Sequence, residues 1–199
     1  MRKANSLFAG AMIVLTMLGA SQAQVGPGMR VISLADGLTV SGPASGQFFR
    51  MRIVGENVQR MRTTKKYWFL ADGVRFEFFS EDNSHFLITD IPYRLDDRVV
   101  LRLYRSAFVH RNGDLKVNSD WVKLPSGEAA VFWSYDKSVA TPEAAKSTER
   151  EMFLVVAGPA HVFGLFARVP ADGSEKKVRR LLTRTLGTLT FGDEFDPKE

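Results

Sequence analysis

Residues 151–191 read EMFLVVAGPAHVFGLFARVPADGSEKKVRRLLTRTLGTLTF, and the pattern of this stretch decides the fold class. Residues 152–157 and 161–169 are two nearly continuous apolar runs separated by Gly158-Pro159, a dipeptide that marks a turn. Runs without polar alternation are expected of central strands covered on both faces, so a sheet with two covering layers is implied. After the turn residues Ala171-Asp172-Gly173 the period changes. Val178, Leu181, Leu182, Thr185 and Leu186 fall at helical spacing, the stripe of a helix that lies on a sheet. Asp172 and Glu175 stand at capping-box spacing at its start. Residues 188–191 are expected to return as a short last strand.

Working outward from this stretch, residues 129–135 and 114–124 read as two further strands joined through Pro125-Ser126-Gly127. The polar segment 136–149 between them and the apolar hairpin is expected to be a loop, with a turn of helix starting at Pro142. Residues 95–110 carry Leu95, Val99, Val100, Leu103, Tyr104, Ala107 and Phe108 on one helical face. Asp96 and Asp97 near the start and His110 and Arg111 at the end suit the helix dipole, and Asn112-Gly113 stops the helix. The clearest hairpin lies at 65–79. Its Asp72-Gly73 tolerates positive φ at both central positions, and Val74, Phe76 and Phe78 alternate with Arg75 and Glu77. Residues 80–84 are expected to turn and 85–89 to return as a strand. Residues 47–54 alternate around Phe49, Met51 and Ile53, and 25–46, rich in Gly, Ser and Pro, hold one or two looser strands. The fold class is therefore α+β: one domain, a largely antiparallel twisted sheet flanked by two main helices.

The ends bound the location. Arg2 and Lys3, an apolar run over 7–18 and the small residues of Ser21-Gln22-Ala23 form the pattern of a signal peptide over 1–23. The apolar run is too short to span a bilayer comfortably, for which about 20 residues are needed, and a retained N-terminal membrane anchor is the rival reading. The expected plan is a signal peptide over 1–23, a single α+β domain over 24–191, and an acidic flexible tail over 192–199. A periplasmic or secreted location follows, with no membrane span after cleavage. The chain has no cysteine, which excludes disulfides, thiolate chemistry and a lipid-modified N-terminal cysteine. Its formal charge of +5 falls to +3 without Arg2 and Lys3, giving little push toward nucleic acid.

Few residues offer chemistry. His85, His110 and His161 are far apart, and none has a second His or Cys at metal-ligand spacing. Asp96 and Asp97 are adjacent on a helix and point about 100° apart, so they do not converge on one atom. Ser-x-x-Lys occurs at Ser134–Lys137 and Ser174–Lys177, without the companion motifs of serine enzymes that use it. No Gly-x-Ser-x-Gly, phosphate-cradling loop or dinucleotide fingerprint is present. No catalytic, cofactor-binding or metal-binding residue is assigned, and no cofactor is expected. Two surfaces remain as candidates. Lys176, Arg180 and Arg184 recur every fourth residue of the last helix and suit an anionic partner, though a solvated face accounts for them as well. Tyr67, Trp68, Phe69 and Trp133 suit an apolar groove, though ordinary core accounts for them as well.

The stretches SDWVKLPSGEAAVFWSYD at 119–136 and EMFLVVAGPAHVFGLFARVPADG at 151–173, followed by an amphipathic helix ending in LGTLTF, resemble the PsbP-like family. Bacterial envelope relatives such as DcrB are included in that resemblance. The match is of element order over about 118–191. It implies an α/β/α sandwich, an antiparallel sheet between helical layers, in a non-enzymatic accessory protein, and it transfers no functional residue. The expected function is an exported soluble accessory or interaction protein without catalytic activity, with an envelope protein or an anionic or apolar lipid as partner. Alternatives are a carrier of an apolar or lipid-like ligand and, third, a hydrolase using His85 and Asp82.

Overall fold

A computed structural model of the chain describes residues 30–34, 37–44, 47–61, 67–82, 96–141, 144–158 and 161–192. The expected signal peptide, the strand at 85–89, Pro142 and all but the first residue of the tail lie outside them.

Eleven strands and two helices are described, in the order β1 (Arg30–Leu34), β2 (Gly37–Ala44), β3 (Gln47–Arg52), β4 (Gln59–Met61), β5 (Tyr67–Ala71), β6 (Val74–Asp82), α1 (Asp97–Arg111), β7 (Asn118–Lys123), β8 (Ala129–Thr141), β9 (Ala144–Ala157), β10 (His161–Pro170), α2 (Glu175–Leu186) and β11 (Thr190–Gly192). The strands form two sheets. One runs β1-β2-β3-β11 and the other β4-β5-β6-β10-β9-β8-β7, with every pairing antiparallel. The α+β class and antiparallel character agree with expectation. The division into two sheets does not follow from the sequence pattern, because β11 pairs with the distant β3 rather than with its chain neighbours.

The apolar hairpin β9–β10 sits at the centre of the larger sheet and is buried on both faces. Met152, Leu154 and Val156 of β9 align with Ala167, Leu165 and Phe163 of β10. All six point toward Val178, Leu181, Leu182 and Leu186 of α2 and toward Val40, Phe49, Met51 and Ile53 of the smaller sheet. Val155 and Ala157 of β9 and Val162 of β10 point the other way, into a second core with Val100, Leu101 and Tyr104 of α1, Phe79, Val131 and Trp133. The molecule thus has three layers: α1, the larger sheet, and a third layer in which α2 and the smaller sheet lie side by side. Glycine is required at 164, where a Cβ would overlap the ring of Phe79 that covers it from β6.

Helix α1 starts at Asp97 rather than at residue 95, capped by the Asp96 carboxylate, which accepts from Arg98 N at 2.8 Å. It ends at Asn112 before Gly113 at φ +80°, where the sequence placed its stop. Its buried face is rotated from the expected one. Val100, Leu101 and Tyr104 are buried, whereas Val99 and Leu103 are 40% and 42% exposed. Helix α2 is capped by Ser174, whose hydroxyl accepts from Lys177 N at 3.3 Å, rather than by Asp172 with Glu175.

Two loop expectations are corrected. Residues 136–149 do not form a loop with a helical turn at its tip in their described part. They prolong β8 and β9, with Asp136 opposite Arg150, Lys137 opposite Glu149 and Ser138 opposite Thr148. Cross-strand charge pairs stabilise a polar hairpin arm that has no apolar period to reveal it. Likewise Ser80, Glu81 and Asp82 do not turn but continue β6, facing Phe163, Val162 and His161 of β10.

The rotated face of α1 carries a direct test. Leu101→Ala should destabilise the protein by about 3 kcal/mol, as buried leucine truncations do. Leu103→Ala should cost less than about 0.5 kcal/mol. Paired chemical denaturation curves measure both, and equal losses would contradict the placement of α1.

Candidate functional site

Helix α2 holds the cationic candidates. Of its five cations, Arg179 is tied down: its guanidinium donates to Asp120 of β7 at 2.6 Å and lies 5.0 Å from the centre of the Phe132 ring. That hydrogen bond holds the Asp120 carboxyl below its usual range, with the Arg179 charge adding to the effect. Lys176, Arg180 and Arg184 are exposed on the outer side of α2. No acidic partner stands against these three among the described residues.

Arg184 also looks into a polar cleft of about 680 Å³, where α2 passes the loop between β3 and β4 and the turn between β5 and β6. Arg52, Glu56, Asn57, Asp72 and Lys177 share the walls of that cleft with it. Its rim is built from fixed parts. Val54 N donates to Thr185 Oγ1 at 3.3 Å, and Thr188 Oγ1 meets both Arg52 N and Arg52 O at 2.9 Å. Glu56 N donates to Asp72 Oδ1 at 2.5 Å while Asp72 N returns to Glu56 O at 3.0 Å. Gly55, Asn57, Asp72 and Gly73 all have positive φ, at 147°, 52°, 51° and 74°. Asp72 and Gly73 take the two-residue turn that their sequence predicts. Gly55 is needed because a Cβ there would press on Ala71 Cβ at 2.9 Å.

The aromatic candidates divide between faces. Strand alternation sends Phe69 into the core shared with α2, where it is fully buried against Phe76 at 5.8 Å between ring centres. Trp68 points to the opposite face, under the Arg75 guanidinium at 4.3 Å and edge-on to Phe166 at 6.0 Å. Trp133 shares that second face but is fully buried, stacked on Phe153 at 5.1 Å. The side chain of Tyr67 lies outside the described residues. Trp68, Phe69 and Trp133 therefore do not line one groove. Period-two alternation separates neighbours that the sequence lists together.

A buried carboxylate escaped the sequence reading. Glu151 is 3% exposed in β9, accepts from the Tyr135 hydroxyl, and takes Arg168 Nε and Nη2 at 3.1 and 2.6 Å, with Lys137 Nζ at 3.6 Å. Burial, then the bond to Glu151, pushes the Tyr135 phenol well above its ordinary value. The signal that could have found it is Glu151 at the head of an apolar run, where a charge needs partners.

Residues with suggestive spacing are kept apart. Ser134 faces α2 and donates to Glu175 Oε2 at 3.3 Å, while Lys137 points from the opposite face to Glu151. Asp136, held by the Arg150 guanidinium at 2.7 and 3.1 Å, has its carboxyl lowered by that bond. His110 meets Asp114 at 3.4 Å on the surface, His161 begins β10, and His85 lies outside the described residues. Among the described residues no three His, Cys, Asp or Glu side chains gather as a metal site, and no helix is long and apolar enough to cross a membrane.

These elements define an α+β protein of antiparallel sheets with a basic helix beside a polar cleft. No family model and no curated protein matches the chain. Among solved structures it is similar to a protein from Bacteroides thetaiotaomicron, with TM-score 0.50 and 12% identity, covering 80% of this chain and 50% of that one. The chain thus spans about half the length of that structure. It is also similar to the Saccharomyces cerevisiae Ran-binding protein Mog1p, with TM-score 0.40, 11% identity, and 83% and 96% of the two chains covered. For cyanobacterial PsbP from Synechocystis the values are 0.35, 13%, 89% and 99%. At such identities the first likeness concerns the fold alone, and the other two carry no argument about it or about function.

The Glu151 cluster yields its own test. Glu151→Ala leaves the Tyr135 hydroxyl without its acceptor and Arg168 without its buried partner. The expected loss is about 2 kcal/mol, below the range for a fully buried pair because Arg168 and Lys137 stay half in water. Urea unfolding measures it, and an unchanged midpoint would remove the structural role assigned to Glu151.

Proposed function

We propose that this protein is an exported accessory protein of the cell envelope, without catalytic activity, that acts by binding an acidic surface of a partner protein through α2. The observation that carries the reading is the outer face of that helix. Arg179 is neutralised by Asp120, while Lys176, Arg180 and Arg184 stand exposed with no acid opposed to them among the described residues. Amphipathicity explains the buried stripe of α2 but does not require three cations on one line. Exposed positive charge of this kind steers a negatively charged partner and fixes its register more than it adds raw affinity.

Export rests on the signal-peptide pattern over 1–23, and a periplasmic location follows from it. Kinship with the PsbP-like family and with envelope proteins such as DcrB belongs to the same proposal, resting on the element order of 118–191. A carrier of apolar ligands has less in its favour. Phe69 and Trp133 pack into two separate cores, and the cleft beside α2 is lined mainly by polar residues.

The reading is tested by placing a photo-crosslinking side chain at Arg180 of the chain in its host. A discrete adduct is expected, weakened by added salt because exposed charges are screened within about 8 Å at physiological ionic strength. Lys176→Glu with Arg184→Glu should abolish it. An adduct that survives charge reversal, or none at all, would sink the proposal.

A further inference from the structure

We infer that the cleft between α2 and the turns of the two sheets is a binding site for a small polar solute. The solute carries a carboxylate or phosphate at one end and a hydroxyl or ammonium donor at the other. This site lies beside the protein-binding face of α2 and shares Arg184 with it, while Lys177, Glu56 and the two turns belong to the cleft alone.

Four observations lead to that chemistry. The first is size: about 680 Å³ falls within the range of small-molecule sites. The second is charge placement. Lys177 and Arg184 line the cleft from α2, two helical turns apart and so on the same side of the helix, and neither faces an acidic partner among the described residues. Arg52 is also among the lining residues. A guanidinium grips carboxylate or phosphate oxygens with two parallel bonds, and a lysine serves as a point charge beside it.

The third observation concerns the acids. Asp72 Oδ1 is held by Glu56 N at 2.5 Å, which commits that oxygen to the loop. Glu56 also lines the cleft, which gives the site a carboxylate suited to a donor on the far end of the solute. The fourth is backbone conformation. Of the seven described residues with positive φ, four (Gly55, Asn57, Asp72 and Gly73) stand on the walls of this cleft. Asp72 and Gly73 owe their φ to the hairpin turn, but Asn57 carries a side chain in a region that ordinary residues avoid, and such departures concentrate at sites where geometry serves binding. The bonds to Thr185 Oγ1 and between Glu56 and Asp72 hold them there, so the walls need little ordering when a solute enters.

The experiment is calorimetric titration of the folded chain, lacking residues 1–23, at low ionic strength with four probes: inorganic phosphate, glycerol 3-phosphate, acetate and glycine. The probe carrying a donor should bind about tenfold tighter than its simple counterpart, and the better pair identifies the anion as phosphate or carboxylate. Lys177→Met and Arg184→Met keep their apolar stems and should each weaken binding about tenfold. Glu56→Gln should erase the preference for the donor-bearing probe while leaving anion binding in place. Lys176→Glu with Arg180→Glu should leave all four affinities within about twofold, which separates this site from the partner-binding face. Amide NMR shifts of Gly55, Asn57 and Gly73 on addition of each probe provide a readout in the unaltered chain. The inference is overturned if no probe binds at millimolar concentration, if those amides do not move, or if binding is unaffected by Lys177→Met and Arg184→Met.

Discussion

The structure depends on one constraint: β9 and β10 are apolar on both faces and so must be covered twice. A strand of the period-two kind usually shows water one face, but residues 152–157 and 162–167 contain no polar position to offer it. One face takes α1, resting on β8 and β9. The other takes α2 on β9 and β10, with the smaller sheet beside it. The ring of Phe79 over Gly164 and the stacking of Trp133 on Phe153 fill the first face, and Phe163 against Phe49 joins the two sheets through the second. The order of layers follows from where these side chains can be buried.

The cleft arises at a border of that arrangement. α2 and the smaller sheet share a layer, and the loop between β3 and β4 must bridge from one sheet to the other beside the helix. Thr185 and Thr188, on the last turn of α2 and just beyond it, hold that loop and the end of β3 by side-chain bonds. The buried threonine of the helical stripe is therefore a clasp between layers rather than a weak apolar residue. The cations of α2 divide in the same way. Arg179 closes onto β7, Lys177 and Arg184 face the cleft, and Lys176 and Arg180 are left to solvent.

Much of the fold was legible because its signals are local. The two-residue turn at Asp72-Gly73, the acidic start of α1, the apolar stripe of α2 and the continuous apolar hairpin each declare themselves within a few residues. The polar arm of β8 and β9 was not legible, because its strands are held by pairs such as Asp136 with Arg150, whose meaning appears only across the hairpin. The same holds for the rotation of α1. Val99 and Leu103 fit a helical stripe as well as Leu101 does, and only the packing surface chooses among them.

By itself the sequence determined the antiparallel α+β class, the two helices and the doubly buried hairpin, since periodicity and turn chemistry act between near neighbours. It also placed Lys176, Arg180 and Arg184 on one exposed line of α2. Tertiary structure alone decided that β11 joins β3 in a second sheet, that Trp68 and Phe69 part to opposite faces, and that Glu151 is buried among Tyr135, Arg168 and Lys137. The cleft belongs to that second group. Its walls come from residues 52–58, 72–73, 177 and 184, which meet only because burial of the hairpin brings α2 and both sheets together.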